Sequence, residues 1–416
     1  MIKTHVCQNG VRIVHEKMPH VRSVALGVWV GAGSGDEKES EAGIAHFIEH
    51  MLFKGTAKRS ARTIAEEFDR IGGDVNAFTS KEMTCYYTTV LGHQAPRALS
   101  IMADMFFNSS FEEAEIAKEK SIVLDEIAAV EDAPDDDVDE RLWAVMYPEQ
   151  PIGKPVLGDE KTINTFNRKM IDEFMERKYT PERIVISVAG NYDDRLIQLI
   201  EVQFGSFKRG ELAAQSSTLA LPEFHGGMTL KEKDIEQAHI CLGFSGLPVK
   251  DNRIHDLVVL DSIIGGSMSS RLFQEVREER GLAYSVYSYY SAYKTTGTFM
   301  IYGGTSPENL KELSDTIDEV IHSILTDGIT ENELYNAKEQ LKGGFLLGLE
   351  SSESRMHRNG KNELILEEHK TVDEVVALID NVELSQVYRM ANDIFTGQRA
   401  ISIVAPKEIL KEFKID

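Results

Sequence analysis

Cysteine is nearly absent. Cys7, Cys85 and Cys241 are the three in 416 residues, and they lie far apart. With no Cys-x-x-Cys pair and no even framework, neither a disulfide scaffold nor a thiolate metal site is indicated, and a reducing compartment fits. Long apolar runs are missing too: none approaches the roughly 18 residues that a membrane span needs. The opening MIKTHVCQNG has neither an apolar signal core nor an Arg/Ser-rich transit pattern. The expectation is a soluble, cytoplasmic protein. Positive charge is in deficit, with 45 Lys plus Arg against 68 Asp plus Glu and a net charge of −23. This argues against nucleic acid and anionic membrane as partners, because both need basic surface. It suits neutral or Lys/Arg-bearing peptides, and it equally suits a solubility role.

What is present is a globular composition, 42% hydrophobic, at a length that allows two or three domains. Residues 11–15 and 23–30 alternate as strands. Helices are expected over 42–53, stopping at Gly55, and over 61–71, ending at Gly72-Gly73. DVNAFTSKEMTCYYTTVL (74–91) reads as a β pair around a turn at 80–82. Further helices are expected over 94–106 and 111–131, the second with Ser110 as N-cap and Glu112, Glu113 and Glu115 at its positive end. Pro134 and the acidic DDDVDE read as an interruption. A helix near 170–178 and the strand RIVISVAG (183–190) close this half.

The second half repeats the order. AHICLGFSG (238–246) stands where VALGVWVGA did, a helix covers 255–264, and a β pair turns around 294–296. Helices over 308–325 and 331–349 follow, then RAISIVAP (399–406), which echoes RIVISVAG at an offset of 216. AKE at 117–119 and AKE at 337–339 are offset by 220. Shared order at a near-constant offset indicates an internal duplication. The expectation is two homologous α+β domains, each a largely antiparallel sheet with helices packed on it. They are placed at 1–210 and 224–416, joined by 211–223 within a polar, Gly/Pro-bearing stretch.

The chemistry concentrates in GIAHFIEHMLFKGT (43–56). His46 and His50, four apart on a helix, share one face. That spacing lets two imidazoles meet one Zn²⁺ at about 2.0–2.1 Å. Glu49 borders the same face without having to ligate, which is the place for a general base. The pattern is H-x-x-E-H, the inverted zincin motif. Ile44, Ile48 and Leu52 give the helix a core face, so the histidines stand at a buried edge. A catalytic zinc takes a third protein ligand and keeps one position open. On the long acidic helix, Glu119 and Glu126 are seven apart and share a face. Either can reach the metal while the other hydrogen-bonds a ligand. Glu126 sits among Ile122, Val123, Leu124 and Ile127, where an unpaired carboxylate is costly.

These motifs resemble the pitrilysin/insulysin-type, or inverzincin, zinc metallopeptidases. They are most similar to the short two-domain members akin to mitochondrial processing peptidase that also occur in bacteria. HFIEHMLFKGT is similar to the family's HxxEHxxFKGT block, and the resemblance spans essentially the whole chain. It implies Glu126 as third ligand, 76 positions after His50, and Glu119 as the family's extra glutamate. In NAFTSKEMTCYY it implies that Asn76 and Ala77 lie on a strand edge that pairs with extended substrate. In SSRLFQEVREERGLAYSV it implies Arg277 and Tyr284 as a pair directed at the scissile peptide, both able to donate to a developing oxyanion. The second half has no H-x-x-E-H, and the position echoing Glu49 is expected within 262–268, so one zinc per chain is implied, bound in the first domain.

The family reading is a zinc endopeptidase that cuts peptides or unfolded segments inside an enclosed chamber. Long relatives spread the metal motif and the Arg/Tyr pair over four domains, and this chain carries both in two. That implies a homodimer in which Arg277 and Tyr284 act in trans. A non-catalytic scaffold subunit, or a regulatory protein that sequesters peptides, would share the fold. Neither needs the complete His46, Glu49, His50 and Glu126 set.

Overall fold

The computed structural model describes residues 2–209 and 221–413. Most of the expected join at 211–223 therefore lies outside the described residues. The first sheet contains β1 (Ile2–Val6), β2 (Arg12–Lys17), β3 (Ser23–Val30), β4 (Asp74–Thr79), β5 (Thr84–Leu91) and β6 (Ile184–Gly190), in the order β1-β2-β6-β3-β5-β4. The second contains β7 (Gly227–Glu232), β8 (Ala238–Ser245), β9 (Ala283–Ala292), β10 (Gly297–Thr305) and β11 (Arg399–Ala405), in the order β7-β11-β8-β10-β9. With β1 set aside, both sheets read first, fifth, second, fourth, third strand. In both, the first and fifth strands run parallel and the other pairs antiparallel. The two units are thus homologous α+β folds, as the echoes predicted. Central strands such as SVALGVWV and IVISVAG are apolar on both faces because helices cover both.

The helices of the first half are α1 (Ile44–Met51), α2 (Ala61–Ile71), α3 (Ala95–Asn108), α4 (Glu113–Asp132), α5 (Pro134–Met146), α6 (Glu160–Thr165), α7 (Arg168–Lys178) and α8 (Arg195–Phe204). Those of the second are α9 (Ile254–Ile264), α10 (Leu310–Thr326), α11 (Glu331–Gly348), α12 (Ser352–Lys361), α13 (Val372–Asp380) and α14 (Leu384–Phe395). No described helix is long and apolar enough to cross a membrane. Two local expectations are corrected. Ser110 is not the cap of α4, since the first turn closes on the carbonyl of Glu112, which accepts from Glu115 and Ile116. The DDDVDE segment is no interruption but the first turns of α5. Pro134 stands at its start, where no N–H is needed, and Asp135, Asp136 and Asp137 face the positive helix end.

The chain does not divide at one point. The described residues of Met1–Ala128, Lys154–Leu219 and Gly348–His369 make one compact unit. Those of Ala129–Gly153, Ala220–Leu347 and Lys370–Asp416 make the other. The contiguous bounds expected at 1–210 and 224–416 give way to interleaved ones, because each half lends a helix to the other unit. α12 lies on β2, β3 and β6, and α5 lies on β7, β8 and β11. Each loan is accommodated by a glycine on the sheet's second strand. A Cβ at Gly27 would come within 2.4 Å of Met356 Sδ, and one at Gly243 within 2.4 Å of Met146 Sδ. Polar ties lock the lent α12: Glu16 accepts from Arg355 at 2.6 Å and from Asn359 at 3.0 Å, and Ser187 Oγ donates to the Met356 carbonyl at 2.7 Å.

Candidate metal centre

The site of the first unit is built on α1, α4 and β4. The apolar face of α1, with Ile44, Phe47, Ile48 and Met51, is buried in the first core. This turns His46 and His50 to the opposite edge. Their Nε2 atoms lie 3.1 Å apart. Glu126 Oε2, arriving from α4, is 3.6 Å from His50 Nε2 and 3.8 Å from His46 Nε2. Zinc bonds of about 2.0–2.1 Å in a tetrahedron separate ligand atoms by about 3.3–3.4 Å. The three atoms therefore have the spacing of ligands around one ion.

Charge and proton positions agree with that fit. Glu119 is almost fully buried and takes His50 Nδ1 at 2.7 Å and Lys54 Nζ at 2.6 Å. Burial alone would raise its pKa, but these donors outweigh burial and hold the carboxyl below its usual value. An ionised carboxylate only accepts, so the proton sits on His50 Nδ1 and the Nε2 lone pair faces the cluster. Burial, with His50 beside it, pushes His46 down to about 4, which keeps that imidazole neutral. Two bare ring nitrogens at 3.1 Å repel unless a cation lies between them.

The structure reverses one sequence expectation about burial. Glu126, expected to be enclosed by aliphatic neighbours, has a side chain 40% exposed, whereas Glu119 is the enclosed one. The half-open carboxylate is free to turn toward a metal, and the closed one is committed to His50. Glu49 is buried and raised by that burial, opposed by a hydrogen bond from Thr79 Oγ1 and by His50. Sequence reasoning missed three supports. Glu37 accepts the N–H groups of Gly43 at 2.7 Å and Ala45 at 2.8 Å, fixing the start of α1. Burial raises its pKa to about 8 against those two bonds. Lys54 and Thr79 are the others. Lys54 was visible inside the HFIEHMLFKGT block, whereas Glu37 and Thr79 carried no signal.

The remaining candidates fall into two groups. Asn76 and Ala77 lie on β4, the outermost strand of the first sheet, which pairs among the described residues only with β5. Asn76 is exposed, its Oδ1 accepting from Ala77 N at 2.8 Å, and Ala77 is partly packed against the core. Arg277 and Tyr284 belong to the second unit and are brought together there. Arg277 lies on a short π-helix (Phe273–Glu279), with its guanidinium carbon 4.4 Å from the centre of the Tyr284 ring and 4.8 Å from that of Phe273. Its Nη1 donates to the Tyr284 carbonyl at 3.3 Å, and Tyr284 itself is 78% exposed.

Comparison with known proteins agrees with this architecture. Residues 12–160 match the model of the insulinase family, peptidase family M16, and residues 165–341 match that family's inactive domain. The chain belongs to peptidase family M16. It is 53% identical, over 98% of both chains, to an uncharacterized zinc protease, YmxG, of Bacillus subtilis. It is 39% identical to an uncharacterized zinc protease of Mycobacterium leprae, across 95% of this chain and 90% of that one. The crystal structure of a protease from Helicobacter pylori has the same fold, with a TM-score of 0.89 at 22% identity over 98% of this chain and 99% of that one.

Proposed function

We propose that the protein is a zinc-dependent endopeptidase. The observation that carries this is the trio of His46 Nε2, His50 Nε2 and Glu126 Oε2, spaced as ligands around one ion with His50 oriented by Glu119. When bound there, Zn²⁺ supplies Lewis-acid activation of water and of the scissile carbonyl. Glu49 accepts the proton of the attacking water and delivers it to the leaving amine; its raised pKa suits both transfers. Arg277 and Tyr284 donate to the carbonyl oxygen as negative charge develops. The unpaired edge of β4 at Asn76 and Ala77 receives extended peptide by backbone pairing.

The substrate class is unfolded peptide bearing Lys or Arg, cut in an enclosed chamber. In the second unit, a cavity of about 520 Å³ is lined by Asp132, Asp135 and Glu236 with Tyr284, Tyr302 and His239. Carboxylates and ring faces together suit a cationic side chain. A homodimer in which the Arg277/Tyr284 pair serves the partner's metal centre completes the reading. The test is hydrolysis of a quenched Lys/Arg-containing peptide before and after chelation and zinc add-back. Activity lost on chelation and regained with zinc supports the proposal. A zinc-loaded protein that binds the peptide without cutting it points to the scaffold reading instead.

A further inference from the structure

Glu49 is held by more than its own helix. Thr79 Oγ1, at the end of β4, donates to Glu49 Oε2 at 2.5 Å. The second unit repeats the link. Ser288 Oγ on β9 donates to Asp261 Oδ1 on α9 at 2.6 Å. β9 is the outermost third strand of its repeat, as β4 is of the first. α9 packs on β9 as α1 packs on β4. Asp261 is thus the counterpart of Glu49, one residue before the stretch 262–268 in which the sequence echo was expected. No histidine stands beside Asp261 on α9 in the manner of His46 and His50. The hydroxyl-to-carboxylate link therefore exists in a unit that has no metal motif, so the duplicated scaffold makes it.

We infer that Thr79 is a positioning residue for Glu49, an inference that rests on the proposed role of Glu49 as general base. A carboxylate rotates broadly about its last torsion. A short hydrogen bond to Oε2 selects one orientation and leaves Oε1 for the attacking water. The same strand offers its free edge to the peptide, so the element that aligns the scissile bond also aligns the base. Preorganisation of this kind acts on turnover and leaves substrate affinity unchanged.

The experiment compares Thr79→Val, which keeps the shape without the donor, with Thr79→Ser, which restores the donor. Zinc content, thermal stability, kcat and KM are measured for each. Thr79→Val should keep zinc and KM and lose kcat by about 10- to 100-fold, the range for a hydrogen bond to a charged group. Thr79→Ser should regain most of the loss. In a Glu49→Gln background, Thr79→Val should add nothing, and Ser288→Ala should leave kcat unchanged. An unaltered kcat in Thr79→Val overturns the inference. So does a loss that comes with zinc loss, or one that serine fails to restore, since either makes Thr79 a structural brace. Wild-type turnover in Glu49→Gln alone would instead defeat the functional reading, so the two failures are read from different variants.

Discussion

Glu119 and Glu126 are the same residue type on one helix, and burial assigns them different work. The enclosed Glu119 is bound to His50 and Lys54, whereas the half-open Glu126 faces both histidines. Glu126→Ala and His50→Ala should therefore lose stoichiometric zinc by elemental analysis. Glu119→Gln should keep the metal but weaken it by about 10- to 100-fold in a chelator competition. Asp261 gives a separate test by pH. Burial, opposed by the Ser288 hydrogen bond, raises its pKa to about 6, against about 3.9 in an unfolded chain. Between those values the native state holds a proton that the unfolded chain has released, so this group's contribution falls as pH rises through the window. Asp261→Asn removes that dependence. Urea unfolding at pH 4.5 and pH 7 should show the variant gaining on the wild type by about 2–3 kcal/mol as pH rises, at about 1.4 kcal/mol per unit.

At the level of elements, the lent helices distinguish packing from propensity. A Cβ at Gly360 on α12 would lie 2.2 Å from Trp29 Nε1, a rigid indole. Gly360→Ala should cost about 1–3 kcal/mol despite alanine's better helix propensity. On α11, Cβ atoms at Gly343 and Gly344 would meet nothing within 4 Å. Alanine there should stabilise by roughly 0.5–1 kcal/mol per site. Chemical denaturation of the single variants reads both signs. These helices also mark where sequence reading ended. The strands of each sheet were legible because alternating or wholly apolar runs between turn residues report local burial. The H-x-x-E-H helix was legible because its ligands are four residues apart. The loan of α5 and α12 was not, because a helix sequence states that it has an apolar face and not which sheet covers it. Pro134 and the acidic run then read as a break, although both are favourable first-turn residues. Glu37 and Thr79 were missed for a related reason: each reaches α1 from a loop or strand at a spacing no local pattern records.

For the whole molecule, the metal trio belongs to one unit and the Arg277/Tyr284 pair to the other. If the pair serves a partner's site, two defective chains should complement. An Arg277→Ala/Tyr284→Phe chain and a Glu49→Gln chain are each expected to be inactive alone. Their verified heterodimer should recover activity at one of two sites, and no recovery would refute the in-trans arrangement. The acidic cavity makes a further expectation at this scale. Cleavage of a Lys/Arg-bearing peptide should weaken as ionic strength rises, while a neutral peptide of equal length should respond less; the kcat/KM of both across a salt series measures it.

The central claim is that His46, His50 and Glu126 hold zinc while Glu49 moves the proton. The most direct test is the turnover of one quenched peptide by wild-type protein and by Glu49→Gln at matched, measured zinc occupancy. The account expects about one zinc per chain in both and turnover lower in the variant by at least the 10²–10⁴ typical of general-base loss. Equal turnover at equal zinc would contradict it.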